Sequence, residues 1–333
     1  MLFRSNDAAI KMAKMYTGGF EVVGLGGSWH GVTGNAGAAS FASDRKAYGP
    51  GMPGGHVIPE PNAYRCPVQH CKNTCDHTCM KVGFNLYDMQ STGSRAAVIA
   101  EPIISAGGVI VPPPGYFEAL QAEAKKRNML LIFDEAQTAF GRIGSWFAAT
   151  QLGVTPDILT VSKTLGGGVP LAGVMTSQEI EQKVHERGSA FYTSHVSDPL
   201  PASVGLAVLE TLVEELLLER SVEMGEYLHK SLLELQSRHE EIGDVRGMGL
   251  LRGVELVKDR QTREPHHELG AMTTQRCLEL GLSMNIRRRP ERGSVWRIAP
   301  PLTVTREDID QAMAIFDQAL NESKAEMVKM RRT

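Results

Sequence analysis

The chain has 333 residues, enough to bury a sizeable core and to divide into two domains. Hydrophobic residues make up 42% and charged residues 22%, which is globular material and excludes a disordered or fibrous chain. With 35 basic and 38 acidic residues the net charge is −3, so nothing electrostatic points to nucleic acid or to an anionic membrane as partner. No apolar run approaches the length of a membrane-spanning helix.

From the N-terminus, Ser5 or Asn6 predicts a helix cap ahead of the helical spacing in Ala8-Ala9-Ile10-Lys11-Met12-Ala13-Lys14. Residues 1–7 lack the apolar core of a secretory signal, so a cytoplasmic location is expected, with mitochondria left open. Val22-Val23-Gly24-Leu25 reads as a short strand, and 26–55 as loop-rich. Four of the five cysteines, Cys66, Cys71, Cys75 and Cys79, then share one short segment with His70 and His77. Their spacing is not that of paired C-x2-C knuckles. Two readings stand, a metal or redox role and a surface excursion without chemistry.

Ala96-Ala97-Val98-Ile99-Ala100 reads as a buried strand ending at Glu101, and 116–126 as an amphipathic helix. Met129-Leu130-Leu131-Ile132-Phe133 is a second buried strand, ending at Asp134. Residues 157–161 form a third, delivering Lys163 ahead of Gly166-Gly167-Gly168. Continuous apolar strands alternating with helices predict a parallel sheet covered on both faces. Such sheets place chemistry beyond the carboxyl ends of their strands, where Glu101, Asp134 and Lys163 all fall. Residues 199–236 carry one long, nearly continuous helical pattern that could bridge two domains. Strand-and-turn segments follow over 243–255 and 281–302, with Arg287, Arg288 and Arg289 read as a solvated turn. Cys277 reads as buried packing, and 329–333 as a frayed basic tail.

A lysine at one strand end and a carboxylate at another are the pair that pyridoxal phosphate chemistry requires. The amine forms a Schiff base with the cofactor aldehyde, and the carboxylate keeps the pyridine nitrogen protonated so that the ring accepts electrons. The wider set of strings is Ser28-Trp29-His30-Gly31, Glu101-Pro102-Ile103-Ile104-Ser105, Asp134-Glu135-Ala136-Gln137-Thr138, Ser162-Lys163-Thr164-Leu165-Gly166, Tyr192-Thr193-Ser194-His195-Val196-Ser197-Asp198-Pro199-Leu200 and Trp296-Arg297-Ile298-Ala299-Pro300-Pro301-Leu302. In this order and through essentially the whole chain, the set resembles the class III pyridoxal phosphate aminotransferases, most closely those that decarboxylate 2,2-dialkylglycines.

The resemblance implies the α/β fold type I of aspartate aminotransferase, with a mostly parallel sheet in a large cofactor-binding domain over 1–205. A long connecting helix and a smaller C-terminal α/β domain are implied over 206–333. It implies that Lys163 is the Schiff-base lysine and proton shuttle, that Asp134 is the pyridinium partner, and that Gln137 bonds the ring hydroxyl. Trp29 resembles the aromatic that stacks on the ring; an ordinary core tryptophan is the other reading. Arg297 resembles the receptor for the substrate carboxylate. Ser194 stands where the family reaches the cofactor phosphate of a neighbouring subunit, which implies a homodimer with shared active sites. Ser194, Val196 and Asp198 also resemble an alkali-ion loop for potassium or sodium, although Asp198 reads equally as a capping residue before Pro199.

The implied reaction is decarboxylation of a 2,2-dialkylglycine-type amino acid coupled to transamination of a keto acid. Transamination alone, by an ω- or α-aminotransferase, is the alternative. Two departures stand against the pattern. Met1-Leu2-Phe3-Arg4 occupies the place of the family's glycine turn before the Ser5-Asn6-Asp7-Ala8-Ala9 helix start, where glycine lets backbone N–H groups approach a phosphate. The N-terminal part of the family fold is therefore expected to be missing, and a non-catalytic truncated paralogue is a third reading. Ala106 also stands where the decarboxylase pattern has a second serine after Ser105.

Overall fold

The computed structural model describes residues 2–42, 49–66, 68, 74–189, 192–289 and 293–330. The chain divides into two units. The first comprises Met1–Gly107, Val111–Gly141 and Ser145–Leu216; the second comprises Gly108–Ile110, Arg142–Gly144 and Leu217–Thr333.

In the first unit, the elements run α1 (Leu2–Thr17), β1 (Glu21–Leu25), α2 (Gly34–Ala38), β2 (Gly55–Ile58), α3 (Thr78–Gln90), β3 (Arg95–Ala100), α4 (Tyr116–Lys126), β4 (Leu130–Asp134), α5 (Ala148–Leu152), β5 (Ile158–Val161), β6 (Gly173–Thr176), α6 (Gln178–Glu186) and α7 (Pro199–Glu214). Among the described residues, six strands form one sheet in the order β2-β1-β3-β4-β5-β6. All neighbours are parallel except β6, which runs antiparallel to β5 at the edge. Alternation along the strands explains the burial on both faces. Val22, Ala97, Ile99, Ile132 and Ile158 share a cluster with Ala9, Ile10 and Ala13 of α1. On the other face Phe133 meets Phe117 of α4 edge-on, with ring centroids 4.9 Å apart. Gly24 of β1 is fixed by close approach, since a Cβ there would stand 2.5 Å from the Ala39 carbonyl oxygen.

The expected helix over 199–236 is two helices, α7 and α8 (Leu217–Arg238), interrupted where Leu216 takes a left-handed φ of +51°. No glycine or proline marks that break in the sequence. The second unit continues with β7 (Ile242–Met248), β8 (Leu251–Leu256), α9 (His267–Glu279), β9 (Asn285–Arg289), β10 (Gly293–Ile298) and α10 (Arg306–Met330). Its strands form an antiparallel sheet in the order β7-β8-β10-β9. The arginine run 287–289, expected as a turn, is therefore strand. Trp296 is fully buried against Phe316 and donates its indole N–H to Thr274 at 2.7 Å. Among the described residues no helix is long and apolar enough to cross a membrane.

Candidate active site

Parallel strands direct their carboxyl ends alike, so β1, β3, β4 and β5 bring the segments that follow them to one edge of the sheet. Asp134, the last residue of β4, is only 3% exposed there. Its Oδ2 accepts a hydrogen bond from Asn6 Nδ2 at 2.8 Å and lies 2.9 Å from His30 Nδ1. Because the ionised carboxylate only accepts, Nδ1 carries the proton it donates. The Ala136 N–H reaches Oδ1 at 3.1 Å. Burial by itself would push this carboxyl up. The bond and charge of His30, the charge of Lys163 and the Ala136 N–H outweigh it, and Asp134 is held below the usual carboxylate range.

Glu101, just past β3, faces the opposite balance. Its two oxygens accept the backbone N–H groups of Trp29 (2.7 Å) and Ser105 (3.1 Å). Burial pushes its carboxyl up and the Asp134 charge adds to that, against the opposing pull of His30, the Trp29 N–H and Lys163. Two carboxyls at adjacent strand ends are thus shifted in opposite directions by their surroundings. The buried neighbour Glu135 has a structural task. It accepts the N–H groups of Ala148 and Ala149 (2.7 and 2.8 Å) at the start of α5, and the Thr138 hydroxyl at 2.9 Å.

Lys163 follows β5 by two residues and opens a short 3-10 turn, Lys163–Gly166. It is exposed and takes a left-handed φ of +50°, a conformation that non-glycine residues adopt at a cost and often at functional sites. Its charge acts on both Asp134 and Glu101. The adjoining Ser162 hydroxyl and the second nitrogen of His30, Nε2, are buried without a hydrogen-bond partner among the described residues. Polar atoms left so are normally completed by water or a ligand. An ionised buried carboxylate, a nearby amine, an orphaned hydroxyl and a half-buried Trp29 make a set that fits pyridoxal phosphate.

The other candidates are placed as follows. Gln137 is half-buried in the turn after β4. Ser194 and Val196 are exposed in the turn leading to α7, where Asp198 Oδ2 is paired with His195 Nδ1 at 2.8 Å. Arg297 lies half-buried on β10 of the second unit, in register with Gly253 and Asn285. Among the described residues no group of three histidine, cysteine, aspartate or glutamate side chains could hold a metal ion. Cys66, Cys75 and Cys79 are not joined in disulfides, while Cys71 and His70 lie outside the described residues. The Cys79 thiol is pushed up to about 11, by burial first and then by its cysteine neighbours, so it is not a ready thiolate. Cys277 is buried as expected, its thiol raised to about 12 by burial.

Asn6, His30 and Thr160 were not assigned roles from the sequence, although all three sit at the centre of the site. The expectation of a helix cap at Ser5 or Asn6 is corrected by α1, which begins at Leu2 and holds both residues inside the helix, while His30 enters the sequence reading only as part of a string.

The family model for class III aminotransferases matches residues 4–320. An aminotransferase of Schizosaccharomyces pombe, itself uncharacterised, is 47% identical over 317 residues, which span 95% of this chain and 71% of that protein. A leucine/methionine racemase of Thermococcus litoralis is 36% identical over 320 residues, 95% of this chain and 70% of the racemase. Among solved structures, the omega transaminase of Pseudomonas jessenii in complex with PMP superposes with a TM-score of 0.89 at 25% identity, covering 97% of this chain and 74% of that one.

Proposed function

This chain belongs to the class III aminotransferase family, with its type I pyridoxal phosphate fold, and on that premise we propose that it transfers the amino group of an amino acid to a keto acid. The observation that carries the reading is Asp134, buried yet ionised under donors from Asn6, His30 and Ala136, with the charge of Lys163 acting on it. Bound pyridoxal phosphate supplies an electron sink for the pair left behind when a bond to the substrate α-carbon breaks. In this proposal the Asp134 carboxylate keeps the ring nitrogen protonated, because a proton there is stabilised by an anion that cannot itself be neutralised cheaply. Lys163 is the residue that would hold the cofactor through Nζ; once the substrate amine had displaced it there, the freed amine would be placed to take and return the proton at the substrate carbon.

Trp29 covers the ring face and Gln137 bonds the ring hydroxyl. Arg297 receives the substrate carboxylate, since a guanidinium grips two oxygens at once. Ser194 reaches a phosphate held by a second copy, so the proposed active form is a homodimer. An alkali ion at Ser194, Val196 and Asp198 is a separate reading that rests on the resemblance of that loop; Asp198 Oδ2 is paired with His195 here, and Oδ1 keeps its capacity to accept.

Decarboxylation coupled to the same transfer is the second reading, favoured by Trp29 and the Tyr192-to-Leu200 string. Simple transfer leads because the similar proteins include an aminotransferase and a racemase, which both work at a carbon–hydrogen bond. Product analysis separates the two. Amino transfer from an α-amino acid to a keto acid without carbon dioxide release supports the first, and carbon dioxide from 2-aminoisobutyrate supports the second. Neither product, from chain shown to hold the cofactor, contradicts both.

A further inference from the structure

A primary amide has nearly the same shape when flipped end for end, so a buried asparagine keeps one orientation only where its neighbours tell oxygen from nitrogen. Asn6 of α1, 3% exposed, is surrounded by groups that do so. Its Nδ2 lies 2.9 Å from the His30 carbonyl oxygen and 2.8 Å from Asp134 Oδ2. Both are acceptors. A flipped amide would set its oxygen against the two of them and leave both without a donor. Both amide protons are therefore committed, and Oδ1 must face the remaining neighbour, the Thr160 hydroxyl at 2.7 Å, which donates to it.

Thr160 is itself 1% exposed on β5 and stands opposite Asp134 in the parallel register of β4 and β5. Its carbonyl accepts the Glu135 N–H at 3.0 Å, so the strand pairing fixes the hydroxyl relative to the carboxylate it supports. The consequence for Asp134 is directional. Oδ2 is saturated by two donors, while Oδ1 has one and retains capacity for another.

We propose that Thr160 and Asn6 act as a positioning relay that keeps Asp134 ionised and reserves its Oδ1 for the ring nitrogen. The inference rests on the reading of Asp134 as the ring-nitrogen partner. Neither residue touches the reacting atoms; both act through the carboxylate. The groups that bear on the same carboxylate from the neighbouring strand ends are His30 after β1, Glu101 after β3 and Lys163 after β5, and Glu135 follows Asp134 in sequence. The relay is the neutral part of that environment, which is why it can be altered without changing any formal charge.

The test is a titration of the Asp134 carboxyl carbon by nuclear magnetic resonance in the full chain labelled with carbon-13 aspartate, its signal assigned by its loss in Asp134→Asn. Thr160→Val keeps the shape and removes the hydroxyl. It is expected to raise the proton affinity of Asp134 roughly threefold, and Asn6→Ala roughly tenfold. Thr160→Ser, which restores a hydroxyl, should return it to the wild-type value. Pyridoxal phosphate affinity, read by fluorescence, should weaken in the same order. If Asn6→Ala does not fold, the valine–serine pair still decides. A Thr160→Val titration that coincides with wild type, or one that serine does not reverse, overturns the relay. The titration needs no cofactor, so a wild-type chain that fails to bind pyridoxal phosphate would overturn the functional reading without touching this result.

Discussion

Asp134 is the residue on which the chemistry of the site turns, and His30 is its strongest support. Removing the imidazole leaves a buried carboxylate that has lost a charge-assisted donor, a change that typically costs about 3–5 kcal/mol in a closed interior. His30→Ala is therefore expected to lower stability at neutral pH by about 3 kcal/mol in urea unfolding, while an effect below about 0.5 kcal/mol would mean that the pair contributes nothing. The sign of the pH dependence follows from the folded carboxyl lying below its ordinary value. Its contribution is present at neutral pH and is lost as pH falls through the carboxylate range. Asp134 itself was readable from the sequence as a strand-end acid, but its partners were not. His30 and Asp134 are 104 positions apart, and Asn6 and Thr160 are 154 apart. The pairing of β1, β3, β4 and β5, with α1 packed against that sheet, brings them together.

At the scale of the elements, β3 and β4 were legible as continuous apolar runs closed by an acid, Glu101 and Asp134, β1 as a short apolar run before Gly26, and β5 as the run that delivers Lys163. The edge strands were not. β2 (Gly-His-Val-Ile) and β6 (Gly-Val-Met-Thr) each open on a glycine and hold only two apolar residues, so neither makes the apolar run that picks out β5 at the same length. The start of β1 holds a second buried acid that was equally hidden. Glu21 is 3% exposed and accepts from Tyr87 (2.8 Å), the Ser91 hydroxyl (2.6 Å), and the N–H and hydroxyl of Thr92 (2.7 and 2.8 Å). Burial opposes ionisation, but these donors overcome it and hold the carboxyl down at about 2, against an ordinary 4.5. The stability this contributes is complete above the ordinary value and is lost as pH falls towards about 2, amounting to about 3 kcal/mol across that window. Glu21→Gln should remove that acid-limb slope. Parallel wild-type and variant curves between these pH values, measured by urea unfolding, would refute the assignment.

For the whole molecule, the ordered motifs carried the fold class, because together they span the chain from Trp29 to Arg297. The family match over residues 4–320 rests on the same breadth. What the motifs could not supply is the reaction a class III site performs, since a racemase and an aminotransferase are each similar to this chain over 95% of its length. The proposal for either outcome rests on the lysine amine that follows β5, Lys163. The most direct measurement is therefore to incubate the purified chain with pyridoxal phosphate, reduce with borohydride, digest, and locate the added mass by mass spectrometry. The cofactor is expected on the peptide that contains Lys163, and it is expected to disappear in Lys163→Ala. Cofactor on another lysine, or on none, would contradict that expectation.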